Sequence, residues 1–113
     1  MANFHFTRRA NIDLLEIEEY SFRKWGETQT ELYMNDLYES FSEIAKNPET
    51  GRLRYDRSFP FFMAPVRQHF AIYKPIENGI IIATVLHGRR NIEAIVRNMA
   101  VTLSAEIRSI ENE

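Results

Sequence analysis

Apolar residues near the start of the chain recur at helical spacing. The stripe Ala10–Ile17 predicts an amphipathic helix that runs to about Lys24. Thr7 stands just before this stripe, where its hydroxyl can accept a hydrogen bond from a free N–H group of the first turn. Gly26 follows the helix and suits the left-handed residue that commonly ends one. The pattern therefore predicts a helix with a defined start and a defined end.

A second amphipathic helix is predicted from about Thr28 to Lys46. Its apolar residues share one face, and its opposite face is acidic. Because only a few residues separate the two helices, we expect them to lie antiparallel as a helical hairpin. Asn47-Pro48 ends the second helix, since proline cannot continue it and restricts the residue before it.

Four stretches have the pattern of strands: Asn3–Phe6, Arg52–Tyr55, Val66–Lys74 and Ile80–His87. Alternation in the third places Arg67, His69, Ala71 and Tyr73 on one face. The fourth is almost continuously apolar, which favours a central strand covered on both faces. Glu77-Asn78-Gly79 separates these last two stretches. Asn-Gly is a strong hairpin signal because both residues tolerate positive φ.

The elements follow in the order β-α-α-β-β-β, and a further helical pattern begins after Asn91. This order predicts an α+β protein, with an antiparallel sheet, the helical hairpin packed on one face of it, and a C-terminal helix. We predict one domain over residues 1–113, with a core over 3–91 and a helical extension over 92–113. The extension could also pack on the open face of the sheet. Phe59, Phe61 and Phe62 flank Pro60 and precede Pro65, and these rings are expected to cap the core.

Charge is distributed unevenly along the chain. Residues 1–51 carry a net charge of −5, residues 52–90 a net of +5 and residues 91–113 a net of −2, which gives −2 overall. The helical part is therefore acidic and the sheet part basic. The sequence contains no cysteine, which excludes disulfides and thiolate chemistry. No apolar run approaches the roughly 20 residues that cross a bilayer, and no secretory signal is recognised. We expect a cytoplasmic protein.

Candidate chemistry is concentrated in the basic part of the sheet. Arginines can bind oxyanions and a histidine can move a proton, which together would suit a metal-independent ribonuclease. The same groups could instead bind an acidic protein partner or simply be solvated, and composition favours these two interpretations. The three histidines lack metal-ligand spacing, so no metal or cofactor is predicted. The residues concerned are Arg54, Arg67, His69, His87, Arg89 and Arg90.

Several short signatures resemble the ParE toxins of ParDE type II toxin–antitoxin systems, within the ParE/RelE superfamily. The resemblance covers about residues 4–91, and its spacing from Trp-Gly to Leu-His-Gly-Arg-Arg is quite specific. The Phe59–Pro65 stretch and the long tail after Arg90 depart from the pattern. The signatures are Ala10, Asp13, Leu14 and Ile17; Trp25-Gly26; Tyr33 and Leu37; Asn47-Pro48-x-x-Gly51; Arg67; His69-x-x-x-Tyr73; and Leu86-His87-Gly88-Arg89-Arg90.

The resemblance implies a small toxin that inhibits DNA gyrase by protein–protein contact and is silenced by a ParD-like antitoxin in a hetero-oligomer. It implies neither enzymatic activity, nor a cofactor, nor specific binding to nucleic acid. RelE-like relatives cut messenger RNA on the ribosome, so a nuclease is the alternative, and a non-toxic interaction module is a second one. We expect target contacts from Arg67, His87, Arg89 and Arg90. Antitoxin contacts are expected from Leu15, Tyr20, Trp25, Arg54 and Tyr73, and a nuclease would use Arg67, His87 and Arg54.

Overall fold

The computed structural model describes residues 2–53 and 61–112. Its strands are β1 (Asn3–Phe6), β2 (Arg52–Leu53), β3 (Phe62–Val66), β4 (His69–Ile76) and β5 (Gly79–His87). Its helices are α1 (Arg8–Lys46), a 3₁₀ turn (Pro48–Thr50) and α2 (Ile92–Glu111). No helix in the described residues is long and apolar enough to cross a membrane.

The two predicted N-terminal helices are the two halves of α1, which meet at a break. Gly26 interrupts the helix with φ 84° and ψ −179°, a conformation that glycine adopts without steric cost. Leu14 and Leu15 from the first half line one depression together with Met34 and Tyr38 from the second half. The two halves therefore pack side by side, and the predicted helical hairpin is confirmed.

Both predicted ends of α1 are confirmed as well. The Thr7 hydroxyl accepts a hydrogen bond from the Ala10 N–H at 3.1 Å and donates one to the Ala83 carbonyl oxygen at 2.6 Å. It thus caps the helix and ties it to β5. At the other end Asn47 follows the last helical residue, and Pro48 begins the 3₁₀ turn.

The sheet has five strands in the order β1-β5-β4-β3-β2. It is mixed rather than antiparallel, because β1 pairs with β5 in parallel, from Asn3 opposite Gly79 to Phe6 opposite Ile82. The predicted purely antiparallel sheet is wrong in this respect. A Cβ on Gly79 would lie 1.9 Å from the Asn3 carbonyl oxygen, so the close approach of β1 requires glycine there.

The predicted strand Val66–Lys74 is wrong at its start. β3 ends at Val66, and β4 begins at His69, directly opposite Val66 in an antiparallel pair. Arg67 and Gln68 form the turn between them, and Arg67 has φ 60°. Arginine and glutamine are not typical turn residues, so no local signal predicts this hairpin.

Helices cover both faces of the sheet, rather than one. Ile80 and Ile82 of β5 belong to the core on the α1 side, whereas Ile81 and Ala83 belong to the core on the α2 side. The prediction of a central strand covered on both faces is thereby confirmed. Helix α2 fills the second face with Ile92, Val96, Leu103 and Ile107. The tail therefore packs on the face that the hairpin leaves open.

The aromatic stretch before β3 is partly in the core. Phe61 is buried on the α2 side, and Phe62 packs against the core on the α1 side. The expectation of core-capping rings is confirmed for these two. Phe59 lies outside the described residues, as do residues 54 and 55 of the predicted strand Arg52–Tyr55.

Candidate functional site

A groove of about 640 Å³ lies between the first half of α1 and the ends of β4 and β5. Its helical wall carries Tyr20 and Trp25, and its sheet wall carries His69 and His87. Arg89 and Arg90 also line it, immediately after β5. Four of the predicted contact residues, namely Tyr20, Trp25, Arg89 and Arg90, therefore share one concave surface with the His87 ring.

Two imidazole rings form the sheet wall of the groove. His69 and His87 are directly paired across β4 and β5, with ring centroids 5.1 Å apart and an edge-to-face arrangement. The His69 Nδ1 atom lies 2.6 Å from the Tyr33 hydroxyl, which also accepts a hydrogen bond from the Gln68 N–H at 3.3 Å. The His87 Nδ1 atom accepts a hydrogen bond from the Arg89 N–H at 3.1 Å.

The surroundings of the His69 ring lower its pKa and so favour its neutral form. Burial, and to a smaller extent the neighbouring His87 ring, together lower its pKa from 6.5 to about 4. The His69 ring is therefore neutral at physiological pH. Burial also raises the pKa of the Tyr33 phenol, which stays protonated and able to donate to the imidazole.

A buried carboxylate joins the two walls at the bottom of the groove. Asp13 accepts hydrogen bonds from the Thr84 hydroxyl and, at 3.0 Å, from the Val85 N–H. Its other oxygen lies 3.2 Å from Arg9 Nε, and Glu16 lies 3.9 Å from Arg9 Nη2. Burial raises the pKa of the Asp13 carboxyl, against the opposing effect of the two hydrogen bonds and of the Arg9 charge.

The helical wall is aromatic and holds a cation. The rings of Tyr20 and Trp25 are 6.0 Å apart, edge to face, and about half of each side chain is exposed. Lys24 Nζ lies 4.9 Å from the Trp25 ring centroid and donates a hydrogen bond to the Tyr20 hydroxyl at 3.2 Å. Cation–π attraction therefore fixes the lysine charge on this wall.

Local backbone bonds position the cationic end of the groove. The Gly88 N–H donates to the Gln68 carbonyl oxygen at 2.9 Å, and the Arg90 N–H donates to the His87 carbonyl oxygen at 3.1 Å. The Asn91 side chain then caps α2 by accepting a hydrogen bond from the Ala94 N–H at 3.3 Å. These bonds hold Arg89 and Arg90 at the rim, and within the described residues neither guanidinium group pairs with a carboxylate.

Arg67 does not join this cluster. Its guanidinium group forms an ion pair with Asp36 of α1 at 2.7 Å, and its side chain is not part of the groove lining. The expectation that Arg67 and His87 act on one surface assumed that both lie on strands facing the same way. The turn at Arg67 removes that alignment.

The remaining predicted contact residues are dispersed. Leu15 is 66% exposed and lines a separate depression of about 240 Å³ beside Tyr38. Tyr73 is fully buried, and its hydroxyl donates to the Pro48 carbonyl oxygen at 2.6 Å and accepts from the Gly51 N–H at 3.1 Å. The assignment of Tyr73 to an antitoxin surface is therefore wrong for this fold, because its side chain is inaccessible. Arg54 lies outside the described residues.

Sequence reasoning missed three residues of the groove. Tyr33 and Asp13 appear in the family pattern but were not assigned to the groove, although both lie on the inner face of α1. For Asp13 a signal was present, since a carboxylate inside an apolar stripe and four residues after an arginine suggests a buried pair. For Tyr33 and Lys24 the sequence offers no comparable signal.

Comparison with known proteins places this fold in a family. The family model described as ParE toxin of type II toxin-antitoxin system, parDE, matches residues 4–92. A solved structure titled "Chromosomal ParDE TA system from P. aeruginosa" is similar with a TM-score of 0.64 at 16% identity, over 77% of this chain and 96% of that one. This likeness concerns the fold, and the search of curated proteins finds no match. Because the family model covers most of the sequence, the chain belongs to the ParE toxin family of type II toxin–antitoxin systems.

Proposed function

We propose that this toxin inhibits DNA gyrase by protein–protein contact in the cytoplasm, without a cofactor, and that a ParD-like antitoxin silences it in a hetero-oligomer. Family membership supports the toxin role. The observation that carries the proposed mode of action is the cationic rim of the groove. Arg89 and Arg90 stand beside His87, after the end of a buried strand, and both side chains are exposed.

The contrast with other cations of the described chain supports this assignment. Arg67 is paired with Asp36, Lys74 with Glu111, and Arg9 with Asp13. Such pairs satisfy the charge inside the protein. Arg89 and Arg90 have no such partner among the described residues, so their charges are available to a target.

Contact is favoured over RNA cleavage by the position of the candidate catalytic groups. A ribonuclease of this kind needs a cation and a proton-transfer group around one phosphate. Arg67 lies outside the groove, where Asp36 neutralises it, whereas His87 lies inside. Two of the three groups predicted for a nuclease are thus not directed at one site, and the third, Arg54, lies outside the described residues.

Two surfaces are available to the antitoxin. The groove presents Tyr20 and Trp25, and the second depression presents Leu15. All three belong to the first half of α1, so a partner that contacts all of them must wrap around this helix. A helix joined to an extended segment has the required shape. The positive rim would attract an acidic segment and make association faster at low salt.

The test is gyrase supercoiling in vitro with the purified full chain, alone and with a stoichiometric amount of antitoxin. We expect inhibition or trapped cleavage complexes, and relief of both by the antitoxin. Normal supercoiling at toxin excess would overturn the gyrase proposal. Cleavage of messenger RNA on translating ribosomes, abolished by His87→Ala, would favour the nuclease alternative.

Charge reversal locates the contact. The variant Arg89→Glu/Arg90→Glu should abolish growth arrest and change the free energy of unfolding by no more than about 0.5 kcal/mol, because both side chains are exposed. Arg108→Glu, on the exposed face of α2, is the matched control and should keep its toxicity. Full growth arrest by the double variant, at equal expression, would contradict the proposed role of the rim.

A further inference from the structure

The hydrogen bonds at His69 define which of its nitrogens carries the proton. The Tyr33 hydroxyl already accepts the Gln68 N–H, so its own proton is free to be donated to His69 Nδ1, 2.6 Å away. The pKa of about 4 keeps the ring neutral. A neutral imidazole that accepts at Nδ1 carries its proton on Nε2. His69 is therefore an Nε2–H donor.

His87 reaches the same state by a different bond. Its Nδ1 atom accepts the backbone N–H of Arg89 at 3.1 Å, within the tight turn that follows β5. A backbone amide can only donate, so the lone pair of Nδ1 is in use and the proton lies on Nε2. The turn thus fixes both the orientation and the tautomer of this ring.

The acceptors of both Nε2–H groups are not found among residues 2–53 and 61–112. In the described residues neither nitrogen has a hydrogen-bond partner. The only fully buried side-chain nitrogen or oxygen without a hydrogen-bond partner there is Arg9 Nε, so both Nε2 atoms are accessible to solvent. Both rings line the groove and face each other across β4 and β5. The groove wall therefore presents two fixed N–H donors to whatever occupies it.

The surrounding charges favour an anionic acceptor. Arg89 and Arg90 supply two cations at the rim, and neither forms an ion pair with another described residue. The carboxylates of Asp13 and Glu16 also line the groove, although Arg9 partly neutralises both. The cations and the N–H donors attract an anion, and because the proposed mode of action is contact with a protein, a side-chain carboxylate is the anion that the groove would meet.

We propose that His69, His87, Arg89 and Arg90 form a binding site for a carboxylate side chain of an acidic protein segment. Two imidazole N–H groups can each meet one carboxylate oxygen, and the guanidinium groups add charge-assisted bonds. Lys24, held on the opposite wall by Trp25, gives a second anchor for an acidic segment lying along the groove. This site rests on the proposed mode of action by protein contact and names the chemical group that the groove recognises.

The test uses the full-length toxin with ¹⁵N-labelled histidine, observed by NMR at neutral pH. The nitrogen shifts distinguish the two tautomers directly, and we expect the Nε2–H form for both His69 and His87. The probe is the capped peptide acetyl-Gly-Glu-Gly-amide, with acetyl-Gly-Gln-Gly-amide as its uncharged match and inorganic phosphate as a second anion, all at constant ionic strength. We expect the glutamate peptide to shift both Nε2 resonances at lower concentration than either of the others.

A second variant separates binding from structure. Arg89→Gln/Arg90→Gln should keep both tautomers and weaken binding of the glutamate peptide about fivefold, the effect of losing two partly exposed ion pairs. An Nδ1–H tautomer at either ring, or an equal response to the glutamine peptide, would overturn the site. A stronger response to phosphate than to the glutamate peptide would overturn the carboxylate proposal and indicate that the site binds the phosphates of a nucleic-acid backbone. Gyrase inhibition is tested separately, by supercoiling. If the toxin inhibits gyrase but does not respond to the peptide, the carboxylate site is refuted and the proposed function stands.

Discussion

Asp13 offers the sharpest test of how the groove is built. Its carboxylate joins α1 to β5 through the Thr84 hydroxyl and the Val85 N–H, and it also pairs with Arg9 on its own helix. The side chain is 10% exposed, whereas that of Arg9 is 32% exposed. Truncation to alanine would leave a backbone N–H and a hydroxyl without their acceptor in the core.

The expected cost follows from these contacts. A buried donor that loses its acceptor costs about 1–3 kcal/mol. Arg9 reaches solvent, so its lost partner adds less than the ~3–5 kcal/mol of a fully buried ion pair. We therefore expect Asp13→Ala to lower the free energy of unfolding by about 2–4 kcal/mol. Asp13→Asn keeps an acceptor oxygen and should cost less than about 1 kcal/mol.

Urea denaturation followed by far-UV circular dichroism measures both variants. Glu16→Ala is the matched control, because Glu16 also approaches Arg9 but is 70% exposed and lies 3.9 Å away. It should change the free energy of unfolding by less than about 0.5 kcal/mol. A loss below about 1 kcal/mol for Asp13→Ala, or an equal loss for Glu16→Ala, would refute the role assigned to the buried carboxylate.

The same residue predicts a pH dependence with a definite sign. The pKa of Asp13 in the native state lies above the 3.8 of the unfolded chain, because burial disfavours the charge. Its contribution to stability is therefore complete below pH 3.8 and declines as the pH rises through the native pKa. Asp13→Asn does not titrate at this position. The stability of wild type relative to this variant should therefore fall as the pH is raised through that range.

Three further outcomes are expected. Tyr73→Phe should cost about 1–3 kcal/mol in urea denaturation, because a buried hydroxyl with two backbone partners is lost; an unchanged midpoint would contradict this. Leu103→Ala should lower the free energy of unfolding by about 2–4 kcal/mol, since it leaves a cavity under α2. Val101 is 83% exposed, so its replacement by alanine should cost less than about 0.5 kcal/mol. Equal effects of the two substitutions would argue against the packing of α2 on the sheet. Because the pKa of His69 is about 4 in the native state and 6.5 when unfolded, stability should fall as the pH is lowered from 6.5 towards 4. His69→Gln should remove that part of the slope, and an identical slope would contradict it.

Local features of the fold were predictable because each depends on a few adjacent residues. The hydroxyl of Thr7, the glycine at 26 and the Asn78-Gly79 turn act within their own segments, and all three occur where the sequence indicates. The turn at Arg67 was not predictable in this way. Its positive φ is imposed by the pairing of β3 with β4, to which the turn residues themselves give no clue.

The candidate site shows the same division. The chain order alone brings His87, Arg89 and Arg90 together at the end of an apolar strand, so the cationic rim was expected. The contact of the Tyr33 hydroxyl with His69 depends instead on the packing of α1 against the sheet, over a separation of 36 residues.

The sequence by itself determined the helical hairpin, the central buried strand and the family, because periodicity, caps and short signatures are local properties. Only the tertiary structure decided that β1 is parallel to β5, that α2 covers the second face of the sheet, and that Arg67 is paired with Asp36. It also decided that Tyr73 is inaccessible and that two imidazole rings line one groove. These features arise from contacts between residues far apart in the chain, whose free energies depend on which surfaces the whole fold brings together.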